Sequence, residues 1–263
     1  MTPPEAGKME QRDALTATVL EAMGVSMHFS VNGVRKGVLD DVTFSVGQGE
    51  CTCIVGQSGC GKTTLLNILA GFIAPTAGLV RVRGRRITKP GPDRCVVFQE
   101  DTLFPWLTVS ENVAFGLTGK KGLTETIEER VNHFLALVGL LDFRHYLPRD
   151  ISGGMKQRVE LARVLVLDPH ILLMDEPFAS LDYRTRREMQ DLLIALAQEL
   201  SQTIIFVTHD VDEAISIADK IEIMAINPGT ITEELHIGQE RPRRVTEASY
   251  GVYRDRIYRA LWS

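Results

Sequence analysis

The stretch "GQSGCGKT" at residues 56–63 constrains this chain more than any other eight residues in it. It fits the pattern G-x-x-x-x-G-K-[ST], and its flanks give the match meaning. The preceding "CTCIV" (51–55) is an apolar run of strand length. The following "KTTLLNILAGF" (62–72) has helical spacing, with Leu65, Ile68, Leu69 and Phe72 on one face. Strand, glycine loop and helix in this order make a phosphate cradle. Glycines let successive backbone N–H groups curl around an anion, and the helix N-terminus adds positive potential. Gly56, Gln57, Ser58, Gly59, Cys60, Gly61, Lys62, Thr63 and Thr64 are therefore expected to bind the phosphates of ATP, with Gln57, Ser58 and Cys60 acting through their backbone. Lys62 is expected to reach the β- and γ-phosphates and Thr63 to hold Mg²⁺.

A second stretch fits the same chemistry. In "ILLMDE" (171–176) four apolar residues have the character of a strand buried in a parallel sheet. Asp175 falls at its carboxyl end, where a carboxylate accepts from water on Mg²⁺. Glu176 is its neighbour, and two adjacent carboxylates repel unless a cation or a proton is close.

Bulk properties narrow the field. The 263 residues suffice for one large domain or two closely joined ones, and 44% apolar with 24% charged residues is ordinary for a globular chain. A net charge of −5 argues against a general nucleic-acid binder. Cys51, Cys53, Cys60 and Cys95 are too few for a disulfide framework and have no histidine cluster beside them, so they read as reduced thiols. Cys51 and Cys53 are read as facing opposite sides of their strand. The opening "MTPPEAGKMEQRD" lacks the apolar core of a signal peptide and reads as a disordered tail over 1–15. The longest apolar stretch, Phe134–Leu141, is too short to span a bilayer. Work at a membrane would need another chain for the spanning part.

Periodicity sets out the rest. Residues 16–50 read as β, with Val42, Phe44 and Val46 alternating. "GQGE" (47–50) turns the chain, "PTAG" (75–78) leads to a strand near Leu79–Val82, and "CVVFQ" (95–99) is a further strand. From about 101 to 167 the pattern is helical. Thr108 and Glu111 form a capping box, Ile127, Val131, Phe134 and Val138 share a face ended by Gly139, and Ser152 opens a helix stopped at "DP" (168–169). After Asp175 come a helix with Met189, Leu192, Leu193, Leu196 and Leu200 in step, the strand "TIIFV" (203–207), and a second capping box, Asp210 with Glu213. "IEIMAI", "NPG" and "TITEEL" suggest a closing hairpin, and the tail carries "RPRR" (241–244) and a last helix.

Together these motifs resemble the ATP-binding cassette family, the motor subunits of ABC transporters, over about residues 20–240. Gln99 closing "VVFQ" resembles the Q-loop glutamine, "ISGGMKQR" (151–158) the signature motif, "SLD" (180–182) the D-loop, and His209 in "VTHD" the switch histidine. The resemblance implies an α/β fold: a P-loop NTPase (RecA-like) core with an antiparallel β subdomain and an inserted α-helical subdomain at about 101–167. One cassette would cover 16–240, and 241–263 would be a C-terminal extension.

The resemblance also implies roles. Thr63, Gln99 and Asp175 would arrange Mg²⁺, Glu176 would polarise the attacking water, and His209 would steady the γ-phosphate, with Lys62 and Gln99 completing the catalytic set. Two cassettes would pair head to tail, so that Ser152, Gly153, Gly154 and Met155 of one cover ATP bound by the other, and Asp182 would couple the two sites. The family signature commonly reads LSGGQ. Here Ile151 and Met155 depart from it, and a methionine cannot make a glutamine's polar contact. Phe29 stands where the family stacks an aromatic on adenine; the alternative is a core residue.

A single cassette implies a homodimer on separate integral membrane permease subunits, with a solute-binding protein acting indirectly and no nucleic acid. It would sit as a peripheral protein on the cytoplasmic face of the inner membrane. Trp106 after Pro105, "GGM" in the signature and the "NPGTI…RPRR" tail resemble the nitrate/sulfonate/taurine importer branch. Trp106 would then meet a coupling helix of the permease; the alternative is core packing. A soluble ABC-type ATPase with a nucleic-acid or regulatory role is the other functional reading.

Overall fold

A computed structural model describes residues 17–31, 33–100, 102–118, 125–243, 245 and 247–262. The tail expected at 1–15 and Arg244 of "RPRR" lie outside the described residues.

Two long strands, β1 (Thr18–Val31) and β2 (Val34–Gly47), pair antiparallel. β4 (Ala77–Val82) joins the other side of β1, and the short β5 (Arg85–Arg86) closes a sheet of order β2-β1-β4-β5. β2 alternates buried and exposed residues through Val42, Phe44 and Val46, because only one face of this sheet is covered.

The second sheet is different in kind. It is built from β3 (Cys51–Gly56), β6 (Arg94–Val97), β7 (Ile171–Asp175), β8 (Thr203–Thr208), β9 (Lys220–Met224) and β10 (Ile231–His236), in the order β10-β9-β3-β8-β7-β6. Every pair is parallel except β9 with β10. β3, β7, β8 and β9 are buried along their whole length; β7 and β8 are mostly apolar throughout, while β9 also buries Lys220 and Glu222.

Both faces of this sheet are covered. Ile54, Leu173, Ile205 and Val207 pack with Leu65, Leu66 and Leu69 of α1 (Lys62–Ala70) and with the antiparallel sheet. On the other face Cys53, Val55, Leu172, Met174 and Phe206 meet α4 (Gly153–Leu165), α5 (Tyr183–Glu199), α6 (Val211–Ile217) and α7 (Ala248–Trp262). Cys51 and Cys53 lie on the same face, as residues two apart on a strand must, so the expectation of opposite faces is wrong. Phe72 also departs from expectation. α1 stops at Ala70 with Gly71 as a left-handed cap, and Phe72 beyond it is exposed and stacks on Phe98.

The segment 101–167 has no strand among its described residues. α2 (Val109–Ala114) and α3 (Ile127–Leu137) both start on complete capping boxes, Thr108 with Glu111 and Thr126 with Glu129. Val131, Phe134 and Val138 are buried as the spacing requires, but Ile127 is exposed in the first turn. The tail folds back as α7, with Tyr250 and Ile257 fully buried in the main core.

At the far edge of the main sheet, Lys220 lies 3.5 Å from Glu50, 3.4 Å from Glu222 and 3.4 Å from Glu234. Burial pushes the Glu222 carboxyl up to about 8, against the pull of Lys220. The folded chain then keeps a proton that the unfolded chain releases near the ordinary value of 4.5. Glu222 therefore contributes stability that is complete below 4.5 and is lost as pH rises through about 8. Replacing it in Glu222→Gln should flatten that part of the pH profile of the unfolding midpoint and raise the midpoint above pH 8. A profile unchanged from the parent would show that Glu222 is ionised in the folded chain.

Candidate active site

The carboxyl ends of β3, β7 and β8 come level because Val55 pairs with Thr208 and Asp175 with Val207. Loops that leave such an edge are where α/β sheets hold ligands. The glycine loop leaves β3 here. Gly59 and Gly61 have φ of 84° and 101°, a region that side chains avoid. A Cβ on Gly59 would meet nothing within 4 Å, so this backbone is open to an incoming group. Gly61 starts α1 with no side-chain cap, which leaves the helix N–H groups for an anion.

Within the loop Cys60 is buried and Ser58 exposed. Burial pushes the Cys60 thiol up although Lys62 opposes it, which keeps it protonated. Lys62 Nζ donates to the carbonyls of Gly56 at 2.8 Å and Gln57 at 3.1 Å, and stands 3.9 Å from Glu176 Oε1. The Gln57 amide turns away and donates to Leu261 O in α7 at 3.0 Å.

Thr63 Oγ1 donates to Asp175 Oδ1 at 3.3 Å. Burial raises the Asp175 carboxyl, the Thr63 hydrogen bond lowers it, and the neighbouring Glu176 raises it again. Glu176 sits one residue beyond β7 at φ 46°, a strained position for a side-chain-bearing residue. Its N–H is tied to Val207 O at 3.0 Å, and its Oε2 lies 2.9 Å from His209 Nδ1. A carboxylate oxygen accepts, so Nδ1 is the donor in this pair. The structure thus brings Lys62, Thr63, Asp175, Glu176 and His209 to one edge. Gln99 is exposed in the bend after β6.

Comparison with known proteins gives this site a family. The ABC transporter family matches residues 39–179. The chain is 42% identical over 253 residues to a taurine import ATP-binding protein of Roseobacter denitrificans, covering 93% of this chain and 94% of that one. It is 46% identical over 208 residues to a nitrate import ATP-binding protein of Synechococcus elongatus, covering 78% and 76%. Among solved structures it is similar to a dimeric ATP-binding cassette in a post-hydrolysis state bound to ADP and Pi. That similarity has a TM-score of 0.72 and 28% identity, over 84% of this chain and 100% of that one. This chain belongs to the ABC transporter family. It is an ATP-binding, ATP-hydrolysing cassette with the α/β fold of that family.

The cassette's signature stretch resolves into separate duties. Ser152 caps α4 by accepting from Met155 N at 3.3 Å. A Cβ on Gly153 would meet nothing within 4 Å, but one on Gly154 would stand 2.7 Å from Thr185 Cγ2. Gly154 is thus required by its own chain, where α4 packs on the start of α5. Met155 is half-buried and packs against the main core, which accounts for an apolar residue there without a nucleotide contact. Asp182 caps α5, accepting from Arg184 N, Thr185 N and Thr185 Oγ1, and these bonds hold its carboxyl below the usual range. Phe29 is 40% exposed on β1, which removes the core alternative for it.

One expected cap is only half present. Asp210 Oδ1 accepts from Asp212 N and Glu213 N, but Glu213 does not return to Asp210 N. Its buried carboxylate instead accepts from Thr208 Oγ1 at 2.6 Å and from Gln190 Nε2 at 3.1 Å, while Asp210 N donates to Thr208 Oγ1. Burial raises the Glu213 carboxyl. This network fixes the residue before His209, and reading sequence by short spacings missed it because Gln190 is 23 positions from Glu213. Gln157 of α4 was missed likewise; it donates to Pro177 O at 2.6 Å and ties the signature helix to the residue after Glu176.

In Gly154→Ala the added methyl must displace Thr185, at a cost of about 1–3 kcal/mol. Thermal unfolding should show that loss, and adding Thr185→Ser, which removes the clashing methyl and keeps the hydroxyl bond to Asp182, should recover most of it. Equal midpoints for parent and Gly154→Ala would contradict this account.

Proposed function

We propose that this cassette is the motor of an importer for a small anion or organic solute of the taurine or nitrate kind, acting as a homodimer on separate membrane permease subunits. A solute-binding protein would deliver the solute to those permeases. The carrying observation is that Glu176 is held between Lys62 at 3.9 Å and His209 at 2.9 Å, beside the open glycine loop. The names of the taurine and nitrate relatives support the importer reading.

Each residue has a role in this reading. The backbone of 56–61 and the N-terminus of α1 cradle the phosphates, and Lys62 exchanges its loop carbonyls for β- and γ-phosphate oxygens. Glu176 polarises the attacking water through its carboxylate, and its partner His209 steadies the γ-phosphate. Mg²⁺ fits here, since Thr63 and Asp175 offer hard oxygen donors and the buried Asp175 is a charge in want of a counter-charge. Thr63, Asp175 and Gln99 would hold the ion, which when bound neutralises charge developing on the phosphate oxygens. Phe29 stacks on the base.

Ser152, Gly153 and the start of α4 would cover nucleotide held by the second copy, with Asp182 coupling the sites. Met155 contributes packing there. We read 16–240 as the cassette, with its helical segment at about 101–167, and 241–263 as an extension that α7 docks on the core.

The docking face is aromatic. Phe104 packs at a tilt against Trp106 and Phe115, with ring centroids 5.7 and 4.4 Å away. Trp106 is 72% exposed, so core packing does not explain it, and a permease segment would cover it. No described helix is long and apolar enough to cross a membrane, so attachment to the inner face would be through those subunits.

Glu176→Gln should keep ATP binding and lower steady-state hydrolysis by at least about a hundredfold. Phosphate release assays beside nucleotide binding test this, and turnover near the parent rate would sink the assignment of Glu176.

A further inference from the structure

The first turn of α5 carries a basic residue that none of the motifs claims. Arg186 Nη2 donates to Leu181 O at 3.0 Å, and its Nη1 lies 3.6 Å from Asp210 Oδ2. Leu181 belongs to the "SLD" loop, and Asp210 follows His209. One guanidinium therefore spans two loops that sequence separates by almost thirty positions. Its Nε is buried without a hydrogen-bond partner among the described residues. A buried donor left in that state costs about 1–3 kcal/mol, so local stability alone does not account for the placement. The same side chain lines a small pocket together with Glu176, Thr208, His209 and Glu213.

The partner's two oxygens are divided between tasks. Asp210 Oδ1 caps α6, while Oδ2 faces the arginine. The planar fork of an arginine meets a carbonyl and a carboxylate through separate nitrogens in a fixed geometry, which the single ammonium of a lysine does not impose.

We propose that Arg186 is a positioning residue for ATP hydrolysis. It holds loop 180–182 against loop 208–210 and so sets where His209 stands beside Glu176. The inference rests on the reading of His209 and Glu176 given above.

The test uses the full chain with Arg186→Met, Arg186→Lys, Asp210→Asn, the Arg186→Met/Asp210→Asn double variant, and His209→Ala. An asparagine at 210 keeps the helix cap and loses the charge, so that variant isolates the ion pair. Arg186→Met should lower kcat about tenfold, as small misplacements near a reacting centre do. Nucleotide affinity should stay within about twofold, the spread of independent sites. Arg186→Lys should fall between parent and Arg186→Met. Asp210→Asn should cost activity alone and nothing further in the Arg186→Met background.

An unchanged kcat in Arg186→Met would overturn the proposal. So would losses that multiply in the double variant, or a kcat that falls in step with nucleotide affinity and the unfolding midpoint. If His209→Ala keeps full turnover, the reading of His209 fails first. If His209→Ala is inactive and Arg186→Met is not, only the positioning role fails.

Discussion

The structure depends on how tightly the backbone of the phosphate loop is held from behind. A Cβ on Gly56 would lie 2.9 Å from Met224 O, one on Gly61 2.7 Å from Leu39 Cδ2, and one on Gly229 2.0 Å from Cys60 O. The loop is wedged between β2 of the antiparallel sheet and the turn joining β9 to β10. Gly229 N donates to Val38 O and Asp40 N donates to Gly229 O, so that turn also bonds to β2. Interiors packed this closely do not deform gradually. The two sheets consequently share one rigid piece of backbone, and its open side, at Gly59, is the side that faces a ligand.

Rigidity behind the loop permits strain in front of it. Glu176 is held at positive φ, which costs about 1–3 kcal/mol for a residue with a side chain. The Val207 carbonyl, the adjoining strand β8 and the Gln157 bond to Pro177 O over-determine that turn. The result is that two consecutive carboxylates live in different surroundings. Asp175 is buried against Thr63, while Glu176 is turned toward Lys62 and His209. Neighbouring acids with separate partners can take separate roles, one as an ion's ligand and one toward water.

What the sequence made legible is what lies close along the chain. The glycine loop, the apolar strands β3, β7 and β8, the caps at Thr108 and Ser152 and the closing hairpin follow from spacings of two to four residues. Contacts made by folding did not show. Gln57 meets Leu261 across 204 positions, and Glu213 turns from its own helix cap to Thr208 and Gln190. Phe72 continues an apolar stripe past the point where Gly71 ends the helix, so periodicity placed it in a core it does not reach. Met155 was legible as a departure from a polar pattern, yet its reason, packing against the core beneath α4, needed the fold.

The paired glycines after Ser152 show how one motif serves two masters. Gly154 is closed off by Thr185 of the same chain, whose methyl a Cβ there would meet at 2.7 Å. Asp182 and Thr185 bond to each other at that contact, so the position of Asp182 is tied to the same packing. Gly153 has open space where its side chain would be, at the N-terminal end of a thirteen-residue helix that Ser152 caps. An internal packing demand explains the second glycine and leaves the first unexplained within one chain. In the function proposed above, a ligand approaching from outside would explain the first: Gly154 sets the packing of α4 on α5, and Gly153 would offer its backbone N–H to an anion held by the second copy.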